Sequence, residues 1–350
     1  VTRARLIFAI KYVIAHVFYY TGLLTLWQAV ALRRKAVVLM YHRVLTDSER
    51  QRCGSHPGII VGRDTFQRQM SILNRHFVVL TLEQFHHRLA AKIPFQSSSC
   101  LITFDDGWQD TFTNALPVLA QRSLPAVVFL PVNYIGRRRM FWRERLTQLL
   151  SRTVALVRTS PNRRARVEPL LEAAGFQHIL DLRVDHPHPA IVDEVSARTK
   201  ASAPVSPNLL AALEQEIDAA PEALAEADAF MDWSHVEAMA TKGVAFGGHG
   251  AEHYLLTEVS TEIAQSEIQQ SIDMVRQRFA GTVPAFGYPN GSWTPAVARQ
   301  VEAAGYQLAF TTQPGHVSCN DDRFSLRRMN IHEDMTNTTP MFLARLVGLF

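Results

Sequence analysis

Short, almost unbroken apolar runs constrain this chain most: Ala36-Val-Val-Leu-Met40, Cys100-Leu-Ile-Thr-Phe104, Ala126-Val-Val-Phe-Leu130 and Val244-Ala-Phe246. Strands covered on both faces read this way, and they occur in parallel sheets flanked by helices. Helical patterns lie between them. Phe66, Met70 and Leu73 fall at helical spacing over 64–75. After a short strand at 78–80, Thr81 with Gln84 three residues on is a capping-box start. A helix is expected over 109–122, another opened by Ser234 with Glu237 at its third position, and a long one over 261–279 ending near Gly281. Thr294-Pro295 opens a further helix that Gly305 closes. Strands near 284–288, 307–311 and 325–331 complete six or seven strand and helix units. The sequence therefore predicts a parallel α/β architecture, barrel or open sheet.

Two regions depart from the alternation. Residues 137–229 are polar, alanine-rich and punctuated by proline, with helical stretches such as 167–174 and 209–217, and read as a helical insertion. Residues 1–35 carry an apolar and aromatic segment from Leu6 to Leu32, broken by Lys11, His16 and Gln28 and flanked by basic residues. A spanning helix needs roughly 20 apolar residues free of charge, and this segment falls short. It reads as an interfacial amphipathic helix on anionic lipid, a weak signal anchor, or a helix packed on the domain itself; the membrane surface is the favoured reading. The flanking charges are balanced, so they assign no orientation.

Composition excludes several classes. With 47% hydrophobic and 19% charged residues over 350 positions, the chain is globular and large enough for a sizeable core. The net charge of +4 is carried by scattered basic residues and by Arg33-Arg34-Lys35 and Arg137-Arg138-Arg139, without an aromatic-interleaved basic stripe. Nucleic acid is not an expected partner. Cys53, Cys100 and Cys319 are too few and too far apart for a disulfide framework or a Cys-x-x-Cys metal knuckle.

The chemistry gathers where the apolar runs end, since parallel α/β folds place their sites at the carboxyl ends of strands. The run at 100–104 ends in Asp105-Asp106-Gly107, followed by Trp108. Two adjacent carboxylates at a buried strand end repel each other unless a cation or a reaction uses them. The run at 244–246 leads to His249-Gly-Ala-Glu-His253, two imidazoles at the i, i+4 spacing of a helical turn. Two histidines and one aspartate are a common ligand set for a catalytic divalent metal, zinc best, with iron, cobalt and nickel compatible. The other aspartate would then serve as base toward water, and His42, ending the first run, as the acid toward a leaving group. His332 also closes an apolar strand and competes for the acid role. The Tyr288-Pro289-Asn290-Gly291 turn would aim a backbone N–H at a developing oxyanion. Such a set suits amide or ester hydrolysis.

In three pieces, Thr103-Phe-Asp-Asp-Gly-Trp108, Gly248-His-Gly-Ala-Glu-His253 and Tyr288-Pro-Asn-Gly291, together with Val38-Leu-Met-Tyr-His-Arg-Val44, the chain resembles the polysaccharide deacetylases of the NodB-homology type, carbohydrate esterase family 4. The resemblance spans residues 36–135 and 230–332. It implies a distorted (β/α) barrel of about seven parallel strands forming a catalytic domain over 36–350, interrupted by the insertion. It also implies Asp105 as general base, Asp106, His249 and His253 as metal ligands, His42 as general acid and Asn290 as the oxyanion N–H donor. Tyr288 and Trp108 are expected beside the substrate, with Trp108 as a wall for sugar. Where many members have an Arg-x-Pro-Tyr turn, this chain has Gly287-Tyr-Pro-Asn290, and Arg328 is the expected substitute for the missing arginine. The usual Ser or Thr after the first histidine is Gly250, and Glu252 reads as a solvated side chain. The implied activity is removal of N-acetyl or O-acetyl groups from an amino-sugar polysaccharide or lipid-linked saccharide. A deformylase of a lipid-linked amino sugar and a glycan-binding pseudoenzyme are the alternatives. With the apolar amino-terminal segment, the expected location is a bacterial membrane or cell envelope.

Overall fold

A computed structural model describes residues 3–181, 188–199, 207–217 and 228–350. The chain forms two compact units, one of residues 1–46, 57–137 and 231–350 and one of residues 47–56 and 138–230.

The larger unit is built on a curled sheet. Its strands are β1 (Lys35–Tyr41), β4 (Val78–Val79), β5 (Ser99–Phe104), β6 (Ala126–Leu130), β7 (Val244–Gly248), β8 (Ala285–Gly287), β9 (Leu308–Phe310), β10 (His316–Ser318) and β11 (Met329–Asn330), while β2 (Arg43–Leu45) and β3 (Ile60–Gly62) pair separately. The order β1-β5-β6-β7-β8-β9 is parallel throughout. The segment that ends in β11 touches both edges: Leu326 bridges Phe310 of β9, and Met329 and Asn330 pair with Leu39 and Met40 of β1. Seven parallel strands thus curl into the distorted barrel that the alternation and the resemblance predict. β10 runs antiparallel outside β1, and β4 borders the first half of β5 where β6 has not yet joined.

Side-chain parity along the strands separates the two faces. Ala36, Val38, Leu101, Val127, Phe129, Ala285, Leu308, Phe310 and Leu326 share one core, which Phe85 of helix Leu82–Ala90 joins. On the opposite face, Tyr41 packs on Phe104 and on Phe66 of helix Arg63–His76, and its hydroxyl donates to Gln69. Burying these strands on both sides is why they read as continuous apolar runs.

Helix starts follow local capping chemistry. Thr81 and Gln84 make the expected reciprocal bonds. The helix expected from Ser234 is instead capped two residues earlier, at Asp232, whose carboxylate accepts from the His235 N–H and the Ser234 hydroxyl; an aspartate outcompetes a serine placed inside the first turn. The helix expected over 109–122 is a π turn, Thr111–Ala115, continued by helix Leu116–Gln121.

At the amino terminus, α1 (Arg3–Tyr20) and α2 (Leu23–Ala31) meet at 95°. Ala15 and Leu24 pack with Met341, Ala344 and Val347 of helix Thr339–Leu346 and the residue after it. Among the described residues no single helix is long and apolar enough to cross a membrane.

The smaller unit is helical. Helices Trp142–Val157, Pro161–Ala173, His188–Thr199 and Pro207–Ile217 enclose their own core of Leu146, Leu150, Val154, Leu171, Ile191 and Leu213, and Arg145 grips Glu214 through two 2.6 Å bonds.

Candidate active site

The interior parity that fills the barrel carries the site at its carboxyl end. Two residues beyond Thr103 on the same face comes Asp105, two beyond Leu326 comes Arg328, and four beyond Val38 comes His42. The Asp105 N–H donates to the Tyr41 carbonyl at 3.0 Å, so the β1–β5 ladder extends to the carboxylate itself. Arg328 clamps it with two parallel bonds of 2.7 Å, Nη1 to Oδ1 and Nη2 to Oδ2. The guanidinium is fully buried, gives Nε to the Thr311 carbonyl at 2.8 Å, and lies 5.5 Å over the Phe129 ring. Burial pushes the Asp105 pKa up, but the Arg328 charge and hydrogen bonds, helped by His249 and His42, hold it below the ordinary carboxylate value. His42 Nε2 stands 3.9 Å from Asp105 Oδ2. Burial lowers the His42 pKa, and the Asp106 and Asp105 charges offset only part of that.

The turn after Asp105 is left-handed at two successive residues, Asp106 at φ 74° and Gly107 at φ 69°. A Cβ on Gly107 would sit 2.8 Å from Leu130 Cδ2, so steric room as well as φ requires glycine there. This turn swings Asp106 toward the loop after β7. Asp106 Oδ1 lies 3.4 Å from His249 Nε2 and 3.3 Å from His253 Nε2, and the three ligand atoms fall within 4.8 Å of one another. Two ligand atoms each about 2.05 Å from a tetrahedral ion stand roughly 3.4 Å apart, so the donor set fits such an ion. The His249 tautomer fits as well: Nδ1 lies 2.6 Å from the Gly287 carbonyl, which only accepts, so Nδ1 carries the proton and Nε2 is left as a ligand. Burial raises the Asp106 pKa, yet the hydrogen bonds of both histidines outweigh it and hold the carboxyl well below the ordinary value.

Several supports of this centre were not evident from sequence. Trp108 is completely buried and donates Nε1–H to Asp106 Oδ2 at 2.9 Å. Arg43 stacks 4.4 Å over that indole and is itself held by Asp110, Nε to Oδ2 at 3.0 Å. On the histidine side, Glu267 of helix Thr261–Arg278 accepts the N–H groups of Ala251 and Glu252 at 2.9 and 2.8 Å. Burial raises its pKa against those bonds. A signal for Glu267 does exist in the sequence: it is an acid on the stripe Ala264, Ile268, Ser271, Ile272, Val275, where the helix turns inward.

Four expectations need correction. Residues 249–253 form a loop, not a helical turn; Gly250 and His253 have φ of 75° and 59°, and the Ala251 and Glu252 N–H groups go to Glu267 rather than to a helix ladder. Trp108 is no substrate wall, because it lies wholly inside and serves Asp106. Tyr288 is likewise interior, its hydroxyl donating to the Phe324 carbonyl at 2.9 Å. Glu252 is not simply solvated, since Asn133 donates to it at 3.0 Å. At Gly287, the turn position where the arginine is absent from this chain, a Cβ would meet Phe129 Cγ at 3.0 Å and His249 Nδ1 at 3.1 Å. Of the remaining expected residues, Asn290 is exposed in a left-handed conformation at φ 52°, and His332 lies two residues beyond β11 at the N-cap position of the short helix Glu333–Thr336, without a side-chain capping bond.

Comparison with known proteins finds a matching family and a shared fold. The family model for polysaccharide deacetylases matches residues 92–158 and 200–309, just over half of the chain. Asp105, Asp106, His249, His253 and Asn290 lie inside the match, whereas His42 and Arg328 lie outside it. YxkH of Bacillus subtilis (strain 168), named for polysaccharide deacetylation, is 26% identical over 100 residues, which are 29% of this chain and 36% of that protein. The alignment thus spans little more than a third of the curated relative. Two solved structures share the fold at 17% identity. The Streptococcus pyogenes deacetylase PplD, in complex with acetate, superposes with a TM-score of 0.54 over 87% of this chain and 95% of its own. IcaB from Ammonifex degensii gives 0.55 over 89% and 97%.

Proposed function

Because this chain belongs to the polysaccharide deacetylase family, we propose that it is a metal-dependent hydrolase removing N-acetyl or O-acetyl groups from an amino-sugar polysaccharide or a lipid-linked saccharide. The observation that carries the reading is one rim where a clamped carboxylate, Asp105, lies between a three-residue ligand set and the imidazole of His42.

Asp106, His249 and His253 would hold a divalent cation, zinc fitting the ligands best, with cobalt, nickel and iron as competitors. When bound, the ion acidifies water and polarises the acyl carbonyl. Asp105 takes the proton of the attacking water, and the two Arg328 bonds keep the carboxylate ionised and aimed. His42, across from Asp105, gives a proton to the departing amine or alcohol. His42 is preferred to His332 because its 3.9 Å approach to Asp105 puts acid and base on the same bond. The Asn290 backbone N–H is the proposed donor to the oxyanion.

The pseudoenzyme alternative rested on the absent turn arginine, and the two bonds that Arg328, just ahead of β11, makes to Asp105 weigh against it. Formyl and acetyl hydrolysis use the same residues and are separated by the acid released. The test is acetate and formate release by the zinc-loaded protein from acylated chitooligosaccharides. Acetate is expected, with loss in Asp105→Ala and His249→Ala; full activity in both variants overturns the reading.

A further inference from the structure

α1 is apolar over most of its length beyond Arg5, Lys11 and His16 excepted, yet it packs only one stripe, Phe8, Ala15 and Phe18, on the carboxyl-terminal helix. A second stripe at the same helical spacing, Leu6, Ile10, Val13, Val17 and Tyr20, is exposed. α2 repeats the pattern: Leu24 faces the domain, while Leu26 at 66% exposure, Val30 at 72% and Trp27 face out. Contiguous exposed apolar faces on a helix mark interaction surfaces. Charge points to what covers this one. The first 46 residues contain no Asp or Glu, and Arg33, Arg34 and Lys35 are exposed where α2 gives way to β1.

We propose that the outer faces of α1 and α2 dock this chain on the surface of an anionic phospholipid bilayer. The apolar stripes enter the acyl boundary, with Trp27 at headgroup depth and the arginines on lipid phosphates. The fold then dictates which way the catalytic rim faces. α2 sits at the amino-terminal ends of the strands, where Gln28 donates to Ser98 just ahead of β5 and Lys35 opens β1. His42 and Asp105 lie at the opposite ends, about 20 Å away along the strands. Docked through α2, the barrel holds its rim away from the bilayer. This favours an acyl group on an extended glycan strand over one on a sugar next to its lipid carrier. That consequence rests on the proposed deacetylation; the docking does not.

The test is co-sedimentation of the full chain with vesicles of phosphatidylcholine alone or mixed with phosphatidylglycerol, with acetate release from a soluble oligosaccharide measured in parallel. Binding is expected to the mixed vesicles, to weaken about tenfold or more in Arg33→Gln/Arg34→Gln, and to vanish in Leu26→Glu/Val30→Glu while the soluble rate and melting temperature stay unchanged. Binding that survives the glutamates, or no binding to either vesicle, overturns the docking. A wild-type dimer lost in the glutamate variant without vesicle binding also overturns it and assigns the face to a second copy. A soluble rate that collapses when the wild type is vesicle-bound overturns the orientation. No acetate release in free solution refutes the deacetylase reading and leaves the docking standing.

Discussion

Arg328→Met is the sharpest perturbation of this site. The wild-type guanidinium makes two 2.7 Å bonds to Asp105 and one of 2.8 Å to the Thr311 carbonyl, with no solvent access. Methionine fills much of the volume but leaves the Asp105 carboxylate buried without its counter-charge. Breaking a buried pair from one side costs about 3–5 kcal/mol, which corresponds to a fall in melting temperature of roughly 6–20 °C for a domain of this size. Asp105→Asn strands the arginine in turn and is expected to cost a similar amount. Because both penalties come from one uncompensated charge, the double variant should lose far less than the sum, leaving a coupling energy of about 2–3 kcal/mol. The pH dependence has a definite sign. The Asp105 pKa is held below its ordinary value, so the pair's contribution is complete above the unfolded carboxylate pKa of about 3.9 and is lost as pH falls through the folded value. In Arg328→Met, burial alone raises that pKa, the carboxyl protonates early, and the deficit against wild type should shrink in acid. Denaturant titrations of the four proteins at pH 7 and pH 4 measure this, with acetate release expected to fall about 10²-fold or more in every variant. Additive single-variant energies, or an Arg328→Met protein with wild-type turnover, would refute the assignment of Arg328 as the clamp on the base.

Other expectations concern the ligand set. Trp108→Phe keeps the ring under Arg43 but removes the indole N–H from Asp106, and should weaken zinc affinity about 10- to 100-fold in a competitive chelator titration with little change in fold. Glu267→Ala orphans the Ala251 and Glu252 N–H groups and should cost about 2–4 kcal/mol while loosening the His253 ligand, read as a lower melting temperature and weaker metal binding together. Gly287→Ala pushes a methyl into the 3.1 Å space before His249 Nδ1, and should lower metal affinity more than it lowers stability. At a free zinc concentration 100 times the dissociation constant, the wild type should gain about 2.7 kcal/mol of stability; an equal gain in Asp106→Ala would contradict the ligand assignment.

How much was legible beforehand follows from which forces are local. The central strands were readable because they are buried on both faces, and the Thr81–Gln84 box because a cap involves only four consecutive residues. His42, Asp105, Asp106 and His249 were readable because each follows an apolar run, and strand ends on one rim converge in a parallel fold. The helical reading of 249–253 failed because i, i+4 spacing reports on a helix only when the backbone bonds to itself, and here Glu267 takes those N–H groups. Trp108 was misplaced because its neighbours in sequence are rim residues, whereas the left-handed turn at Asp106 and Gly107 sends its ring inward beneath Arg43.

The order of apolar runs, acids and imidazoles along the chain therefore determined the class of fold and the chemical inventory of the rim. Only the tertiary structure decided how that inventory is held: that Arg328, 223 positions from Asp105, closes on it from the far side of β1, that the glycine at 287 leaves room for the His249 ring, and that the amino-terminal helices leave a row of apolar side chains exposed. Periodicity records which face of an element is apolar. It does not record which distant side chain meets that face, because packing partners are chosen by closure of the whole barrel rather than by any local stretch of sequence.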